Sequence, residues 1–167
     1  MASDRHAVMA NSPQRQRPGF LETETFHKVM KRLSAAHVLL YRRSKGRIGA
    51  TMPVTATQWL PVCLLTHTGR RSGLRRVTPL LNLADGERVV LFAAQGGLDQ
   101  NPQWYRNLVA NPDCRIQTRG LERPMHAHTA SNQERQDLWP RMKRHYPGWA
   151  TYQSWTTREI PIVICVP

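Results

Sequence analysis

An arginine-rich turn is the stretch of this sequence whose residue types are best suited to bind a ligand. Residues 68–73 read Thr-Gly-Arg-Arg-Ser-Gly, so glycines flank Arg70 and Arg71. Glycine lets the backbone turn sharply, successive backbone N–H groups can hold an anion, and guanidinium groups bind phosphate or carboxylate. The stretch predicts either an anion site or an ordinary hairpin with solvated arginines. Strand alternation sends the next arginines, Arg75 and Arg76, to opposite faces, so only one of them is expected to join such a site.

A second polar motif joins a helix start to an aromatic pair. Asn101 is expected to cap a short helix with Pro102 at its first position, and this helix carries Trp104, Tyr105 and Asn107. A helix N-terminus favours negative charge. The helix therefore either lies beside the anion site or packs Trp104 into the core.

The elements that position these motifs are mainly strands. Apolar segments bounded by turn signals predict six strands, and Asp85-Gly86 predicts a hairpin between two of them. Ser131 and Glu134 form a capping box for a later helix. The predicted strands span residues 61–68, 74–83, 88–94, 113–118, 122–129 and 160–166. We therefore expect a mainly β fold, a β-barrel with helical additions.

Residues 23–43 have helical periodicity, with one apolar stripe and one basic face. The basic face carries Lys28, Lys31 and Arg32, and the stripe consists of Phe26, Val29, Met30, Leu33, His37, Leu40 and Tyr41. Two interpretations stay open: the helix packs on the barrel, or it lies on an anionic membrane surface as a basic amphipathic helix. Residues 1–22 are expected to form a disordered tail, which leaves 23–167 as one domain.

The charge balance narrows the possible partners. Lys and Arg number 24 against 11 Asp and Glu, giving a formal net charge of +13. We therefore expect the partner to be nucleic acid, an anionic lipid surface or an acidic cofactor.

The residues that commonly bind metals give no such signal. Cys63, Cys114 and Cys165 form no Cys-x-x-Cys, so neither a zinc site nor a disulfide framework is indicated, and a reducing cytoplasm fits best. His126 and His128 share a strand face without other ligands nearby, so no metal is expected.

Several of these motifs, in this order, resemble the deazaflavin-dependent nitroreductase family. The similar segments are residues 65–73 (LTHTGRRSG), 76–80 (RVTPL), 96–97 (GG), 101–108 (NPQWYRNL), 110–112 (ANP), 152–156 (YQSWT) and 160–163 (IPIV), so the resemblance covers roughly residues 24–167. It implies a split β-barrel of the FMN-binding type that binds reduced coenzyme F420, a deazaflavin with a polyanionic tail.

The resemblance also implies where the cofactor lies. Its phosphate and oligoglutamate tail lie against the arginine turn, and its ring lies over the strand 76–81 and the strand end 92–95, with the helix 103–107 at one side. The implied cofactor-binding residues are Arg70, Arg71, Ser72, Gly73, Arg76, Val77, Thr78, Pro79, Leu80, Leu81, Phe92, Ala93, Ala94, Gln95, Gln103, Trp104, Tyr105, Arg106 and Asn107.

The implied acceptor pocket consists of Leu81, Ala94, Tyr146, Trp149 and Tyr152. Tyr146 and Tyr152 match pocket tyrosines of the nitroreductase itself. By contrast, Leu81 and Trp149 replace tyrosines, and Ala94 replaces a serine that is common in the family. Tyr152 is the candidate catalytic residue, as a proton donor, with water as the alternative. An unperturbed tyrosine, with a pKa of about 10, is a weak acid for this role.

Two further departures from the family pattern lie beside the cofactor region. His67 stands where threonine or serine is usual, and Gln95 stands where lysine is common. Histidine can relay protons near neutral pH. His67 is therefore either a structural residue or a proton relay.

The expected function is hydride transfer from reduced coenzyme F420 to a small planar acceptor such as a quinone. Nitroimidazole reduction should be weak or absent, because the pocket has lost hydroxyl groups that would stabilise charge on a nitro group. The alternatives are a non-catalytic deazaflavin-storage protein and a basic nucleic-acid-binding barrel. The latter is disfavoured because the aromatic residues cluster in 139–155, away from the arginine turn.

No apolar run reaches the roughly 20 residues of a membrane span. We therefore expect a cytoplasmic protein, which would be peripheral on the inner membrane face if its first helix binds lipid.

Overall fold

Within residues 18–167, the part of the chain that the structure describes, six antiparallel strands close into a barrel with four α-helices around it. The structure is a computed structural model. The strands are β1 (Thr51–Pro53), β2 (Trp59–Thr68), β3 (Arg75–Asp85), β4 (Arg88–Phe92), β5 (Asp113–Thr118), β6 (Leu121–Thr129) and β7 (Ile162–Val166). The helices are α1 (Glu24–Arg43), α2 (Gln103–Ala110), α3 (Asn132–His145) and α4 (Gly148–Ser154). The predicted mainly β barrel with helical additions is confirmed.

Strand β2 closes the barrel, because it pairs with β3 on one side and with β5 on the other. The order around the barrel is β2-β3-β4-β7-β6-β5, and the short β1 pairs with the first residues of β2. Closure hydrogen-bonds both edges of the barrel strands and so removes the free edges of an open sheet. The predicted hairpin joins β3 to β4, with Asp85 opposite Arg88 and Gly86 at a φ of 62°.

Alternation along the strands builds two separate apolar clusters. The cluster inside the barrel includes Cys63, Leu65, Leu91, Ala93, Trp104, Leu108, Ile116, Val163 and Cys165. The cluster on the outer face lies under α3 and α4 and includes Val90, Phe92, Ala94, Leu138, Met142, Trp149 and Ile164. All three cysteines are buried in strands and are not disulfide-bonded. One sheet thus presents different surfaces on its two sides.

Helix starts follow the local capping signals in two cases. The N–H of Phe26 donates to Thr23 Oγ1 at 3.3 Å at the start of α1. Ser131 and Glu134 form the predicted capping box of α3, with both reciprocal hydrogen bonds present. No side chain caps α2, which begins at Gln103.

Helix α1 contacts the barrel through its C-terminal half. Tyr41 is fully buried, and its hydroxyl donates to Val62 O on β2 at 3.2 Å and accepts the N–H of Arg119 at 2.7 Å. His37 Nε2 lies 2.8 Å from Gly49 O. The earlier apolar residues of the stripe stay exposed, namely Val29, Met30 and Leu33, and so do Leu39 and Leu40. Helix α1 therefore packs on the barrel through His37 and Tyr41, whereas most of the other apolar residues of the stripe stay exposed.

Some sequence expectations concern the ends of elements. Strand β3 continues to Asp85, two residues beyond the predicted end, and β4 ends at Phe92, two residues before the predicted end.

Most of the predicted tail, residues 1–22, lies outside the described residues, and Gly19–Glu22 form a short 3-10 helix. None of the helices in residues 18–167 is long and apolar enough to cross a membrane. The same residues contain no group of three or more metal-ligating side chains suited to a metal ion.

Candidate functional site

An open cleft of about 630 Å³ lies at one end of the barrel, between the β2–β3 turn and helix α2. Its walls come from the end of β2, the turn, the start of β3 and the inner side of α2. The lining residues are His67, Gly69, Arg70, Arg71, Ser72, Arg76, Val77, Thr78, Gln103, Trp104, Arg106 and Asn107. The structure therefore brings together ten of the residues that the sequence predicted to bind the cofactor.

The arginine turn is fixed by its own backbone and by α2. Gly73 N–H donates to Gly69 O at 2.8 Å, and Arg70 N–H donates to Asn107 Oδ1 at 3.1 Å. A Cβ atom on Gly69 would lie 2.8 Å from Ser72 Oγ and 3.0 Å from an Arg76 side-chain nitrogen, so a larger residue here would require these two side chains to shift. The cofactor-binding residues predicted from the sequence do not include Gly69. Because Asn107 occupies the Arg70 N–H, that group is not part of an anion nest.

The cleft is cationic and has no acidic side chain in its lining, as far as residues 18–167 are concerned. Arg70, Arg71, Arg76 and Arg106 all lie on it. Among the described residues, Arg70 Nη1 donates to Gln103 Oε1 at 2.8 Å, and no ion pair is seen for these four arginines. Arg75, the neighbour of Arg76 on β3, does not line the cleft. Strand alternation thus separates the two arginines as predicted. Guanidinium groups without internal counter-ions suit an anionic ligand.

A string of buried polar groups runs along the floor of the cleft. His67 and Asn107 are 3% and 4% exposed. Asn107 Nδ2 lies 3.1 Å from His67 Nδ1, and His67 Nε2 lies 3.1 Å from Thr78 Oγ1. Burial, with the nearby charge of Arg76, lowers the pKa of His67 to about 4. His67 is therefore neutral near pH 7, which does not fit a proton relay that must change charge there.

Other predicted cofactor residues lie away from the cleft walls. Tyr105 lines a separate cavity of about 200 Å³ on another side of α2, where its hydroxyl lies 3.1 Å from Thr129 Oγ1. Leu80 and Ala93 belong to the cluster inside the barrel, whereas Leu81 belongs to the outer cluster. Of the remaining predicted residues, Gly73 lies in the turn, Pro79 on β3 and Phe92 at the end of β4. Ala94 and Gln95 follow β4.

The five predicted acceptor-pocket residues all belong to the outer cluster or pack against it. Trp149 is only 3% exposed, and its ring centroid lies 5.7 Å from those of Phe92 and Tyr146. Tyr146 and Tyr152 are half-buried, with centroids 6.3 Å apart. These two tyrosines therefore form the more accessible part of the aromatic group, and Trp149 lies beneath it.

Two details fix the chemistry of the tyrosines. Gly148 allows the ring of Tyr146 to fold back, since a Cβ there would lie 2.2 Å from Tyr146 Cζ. Burial, followed by a hydrogen bond to Tyr146, raises the pKa of Tyr152 above that of a free tyrosine. The Tyr152 hydroxyl thus keeps its proton throughout the physiological range, as a hydrogen-bond donor and a poor acid.

Arg158 is a positioning residue that the sequence did not reveal. Its guanidinium donates to Leu98 O at 2.8 Å, to Asn101 Oδ1 at 2.8 Å and to the carbonyls of Ala93 and Ala94 at 3.1 and 3.0 Å. It therefore ties the end of β4 to the loop that leads into α2. The expectation that Asn101 caps α2 is wrong, because its side-chain oxygen accepts from Arg158 instead. No local pattern around residue 158 signals contacts so distant in sequence.

Residues 33–167 match the family described as F420H(2)-dependent quinone reductase. The chain belongs to this family. Membership makes the protein an oxidoreductase that depends on coenzyme F420, and it confirms the resemblance found in the sequence.

Individual relatives agree with this assignment. Rv1261c of Mycobacterium tuberculosis strain H37Rv, an F420H(2)-dependent quinone reductase, is 33% identical over 135 residues, which are 77% of this chain and 85% of that protein. Rv3178 of the same strain, provisionally named an F420H(2)-dependent quinone reductase, is 45% identical over 108 residues, 65% of this chain and 91% of that one.

Two solved structures are similar in fold. An F420-H2 dependent reductase, FDR-A, is 34% identical with a TM-score of 0.59, over 63% of this chain and 93% of that one. A second structure, described as a domain-swapped dimer, is 28% identical with a TM-score of 0.61, over 85% of this chain and 99% of that one. The barrel is therefore a split barrel of the F420-reductase kind.

The cleft of this reductase fits a polyanionic cofactor. Four arginines face it, and the described part of its lining carries no carboxylate. A long anion entering it would meet guanidinium groups without first displacing an internal ion pair. The residues present and the cofactor of the family are thus chemically matched.

Replacing Arg158 tests how the site is held in place. Arg158→Lys keeps the charge but loses the planar set of donors that reaches four oxygens. Because hydrogen bonds from a charged group contribute about 1.5–3 kcal/mol each, we expect the free energy of unfolding to fall by about 2–3 kcal/mol. Urea denaturation measures this change, and amide hydrogen exchange should accelerate in residues 93–101.

The control is Arg88→Lys, whose guanidinium pairs with Asp85 at the surface. Exposed ion pairs contribute about 0.2–1 kcal/mol, so this variant should be nearly neutral. Equal losses for the two variants would contradict the role given to Arg158.

Proposed function

We propose that this reductase transfers a hydride from reduced coenzyme F420 to a quinone and acts weakly or not at all on nitroimidazoles. The observation that carries the proposal is the presence of two unlike surfaces on one strand. Strand β3 contributes Arg76 and Thr78 to the acid-free arginine cleft and Leu81 to the apolar aromatic cluster. The cleft suits a polyanionic cofactor, and the adjoining aromatic cluster suits a flat apolar acceptor.

The cofactor half of the site is assigned to the cleft. Coenzyme F420, when bound, supplies the hydride. We assign Arg70, Arg71 and Arg76 to its anionic tail, with Ser72 and Gly73 shaping the turn. The ring is assigned to the side of β3 and the end of β4. Leu80 and Ala93 point into the barrel, so the contacts proposed for them are through the backbone. The other assigned residues are Val77, Thr78, Pro79, Leu81, Phe92, Ala94, Gln95, Gln103, Trp104, Arg106 and Asn107.

The acceptor half is assigned to the outer aromatic cluster. Leu81, Ala94 and Trp149 give it an apolar wall, and Tyr146 and Tyr152 are its partly exposed members. Holding an acceptor within about 3–3.5 Å of the donor carbon, away from water, is the main task of such a wall. Tyr152 is proposed to contact the acceptor through its hydroxyl as a hydrogen-bond donor. Its raised pKa makes water the better source of the proton that completes the reduction.

We further propose that the exposed face of α1 rests on an anionic lipid surface. Val29, Met30 and Leu33 are exposed within the described part of the chain, and so are Lys28, Lys31 and Arg32 on the same helix. A basic hollow follows the end of α1, lined by Arg43, Ser44, Lys45, Arg47 and Ile48. An amphipathic helix of this kind lies in the plane of a membrane interface. A second copy of the chain is the competing occupant, since one similar structure is a domain-swapped dimer.

The first test of this function concerns the cofactor. The double variant Arg70→Ala/Arg71→Ala should weaken binding of coenzyme F420 by about 2–4 kcal/mol, since charge-assisted contacts are worth about 1.5–3 kcal/mol each. Arg76→Ala should weaken it by about 1.5–3 kcal/mol for the same reason. Calorimetric titration of the purified protein measures both.

The chain supplies a matched control for the cofactor test. Arg75→Ala removes the same charge from the neighbouring residue of β3, which does not line the cleft. Its affinity for coenzyme F420 should change far less. Equal effects at residues 75 and 76 would mean that net charge, and not the cleft, governs binding.

The acceptor prediction compares kcat/KM for menadione and for a bicyclic nitroimidazole with the same reduced cofactor. We expect the menadione value to be the larger. Loss of one preorganised donor can cost about 10²–10³ in rate, and the indole N–H of the buried Trp149 cannot replace the hydroxyl groups absent at residues 81 and 94. A nitroimidazole value equal to or above the menadione value would contradict the proposal. Ala94→Ser, which restores one hydroxyl, should raise the nitroimidazole value more than the menadione value.

The lipid prediction is tested by co-sedimentation with liposomes. Lys31→Glu/Arg32→Glu should release the protein from anionic liposomes, because each basic residue near such a surface contributes about 1 kcal/mol. The matched double variant Lys143→Glu/Arg144→Glu on α3 should not. Binding of the unsubstituted protein should fall steeply with salt. Equal sedimentation with neutral liposomes, or a stable dimer with no lipid binding, would rule out this proposal.

A further inference from the structure

The polar string on the cleft floor has a direction that is set by one backbone group. A backbone N–H can only donate, so Arg70 N–H forces the atom of Asn107 that faces it, 3.1 Å away, to be the amide oxygen. The amide nitrogen of Asn107 then faces His67 Nδ1 at 3.1 Å. Because that nitrogen carries only donors, His67 Nδ1 must be the unprotonated nitrogen of the ring.

The same logic continues to Thr78. A neutral imidazole with an unprotonated Nδ1 carries its hydrogen on Nε2. His67 Nε2, 3.1 Å from Thr78 Oγ1, is then the donor, and the threonine oxygen is the acceptor. The neutral state follows from the geometry, because a protonated ring would set two donors against each other at Asn107. The low pKa of His67 agrees with it.

We propose that His67 is a positioning residue that fixes Thr78 as a hydrogen-bond donor toward the cleft. Thr78 is half-buried and lines the cleft, and its oxygen is already engaged by His67. Its own hydroxyl hydrogen is therefore left to be donated to a ligand. The ligand group that fits is a hydrogen-bond acceptor, such as a ring carbonyl or an anionic oxygen. This inference rests on the proposed function, in which the ligand is coenzyme F420.

The string also explains why this position suits histidine. His67 pairs with Arg76 across the β2–β3 ladder and spans from α2 to β3 within the barrel end. The neutral imidazole of His67 suits this position because one ring nitrogen accepts from Asn107 and the other donates to Thr78. Directional polar strings of this kind hold their members in one arrangement, because any reversal leaves a buried donor or acceptor unpaired.

The first experiment reads the ring nitrogens without any cofactor. Long-range ¹H–¹⁵N spectra of the protein at pH 7 report which imidazole nitrogen is protonated, and His67→Gln identifies the His67 signals among the seven histidines. We expect the Nε2-protonated neutral form. An Nδ1-protonated form, or an imidazolium, would overturn the proposal.

The second experiment reverses the string with Asn107→Asp. A carboxylate still accepts Arg70 N–H but also accepts from the ring, so His67 should become protonated at Nδ1. If the ring stays neutral, its Nε2 atom carries no hydrogen and accepts a hydrogen bond from Thr78. The hydroxyl hydrogen of Thr78 then points to His67 and away from the cleft. In a protonated ring the added charge appears directly in the ¹⁵N spectrum. Retention of the Nε2-protonated neutral form in this variant would also overturn the proposal.

The cofactor readout is a double-mutant comparison that cancels the added charge. Thr78→Val should weaken binding of coenzyme F420 about three- to tenfold in the unsubstituted protein, the value of one ordinary hydrogen bond. Where the ¹⁵N spectrum of the Asn107→Asp protein shows a neutral ring protonated at Nδ1, the same change should weaken binding less than about twofold, because Nε2 then accepts the Thr78 hydrogen. Where it shows an imidazolium, Nε2 still donates to Thr78, and the effect should stay at about three- to tenfold. Thr78→Ser, which keeps the hydroxyl, should bind nearly as well as the unsubstituted protein.

The outcomes separate this inference from the proposed function. Equal effects of Thr78→Val in both backgrounds while the Asn107→Asp ring is neutral and protonated at Nδ1, or no effect in the unsubstituted protein, would overturn the role of His67. Failure of the unsubstituted protein to bind coenzyme F420 would instead overturn the proposed function, and the ring-nitrogen spectra would still decide the direction of the string. If Asn107→Asp does not fold, the ring-nitrogen spectra and the Thr78 variants decide the proposal.

Discussion

Closure of the barrel between β2 and β5 is the constraint on which the remaining structure depends. Leu64 pairs with Gln117 on β5 and with Pro79 on β3, so both edges of β2 are engaged at the same level. Tyr41 reinforces the seam by contacting a carbonyl of β2 and the backbone just after β5. The end of β2 cannot shift without breaking two ladders. The arginine turn therefore leaves the barrel from a fixed point, and α2 packs over the same end.

Local sequence signals were sufficient for most elements but not for the destinations of polar side chains. The capping box at Ser131 and the hairpin at Gly86 depend on neighbours within four residues, so the sequence specifies them directly. Asn101 has the chemistry of a cap, yet Arg158 takes its oxygen from 57 positions away. The apolar stripe of α1 has a helical period, but nothing in that period determines what covers it. These outcomes depend on tertiary partners that a single segment does not contain.

The cleft was largely predictable because its residues lie on few elements. Alternation on β3 correctly separated Arg76 from Arg75, and the two glycines of the turn marked a close approach of backbone. Helix phase explains why Tyr105 differs from its neighbours: Trp104 and Leu108 are four residues apart and face the barrel, so position 105 turns to the side. The contacts of Gly69 and His67 could not be predicted from sequence, because their distances to Ser72 and Asn107 exist only in the folded chain.

The cleft and the aromatic cluster differ in the kind of ligand that each suits. The cleft is polar and preformed: Asn107 holds the turn, His67 holds Asn107, and the arginines have no carboxylate beside them in the described lining. The aromatic cluster is apolar and depends on packing, with Trp149 buried and Tyr146 and Tyr152 partly exposed. Electrostatic attraction acts at a distance and favours any suitable anion. An apolar wall instead selects ligands by their shape and favours those with few polar groups. The cleft is thus suited to an anionic ligand, and the adjoining aromatic cluster to a flat apolar one. Arg158 joins the two, because it holds the carbonyls of Ala93, which points into the barrel, and Ala94, which points to the cluster.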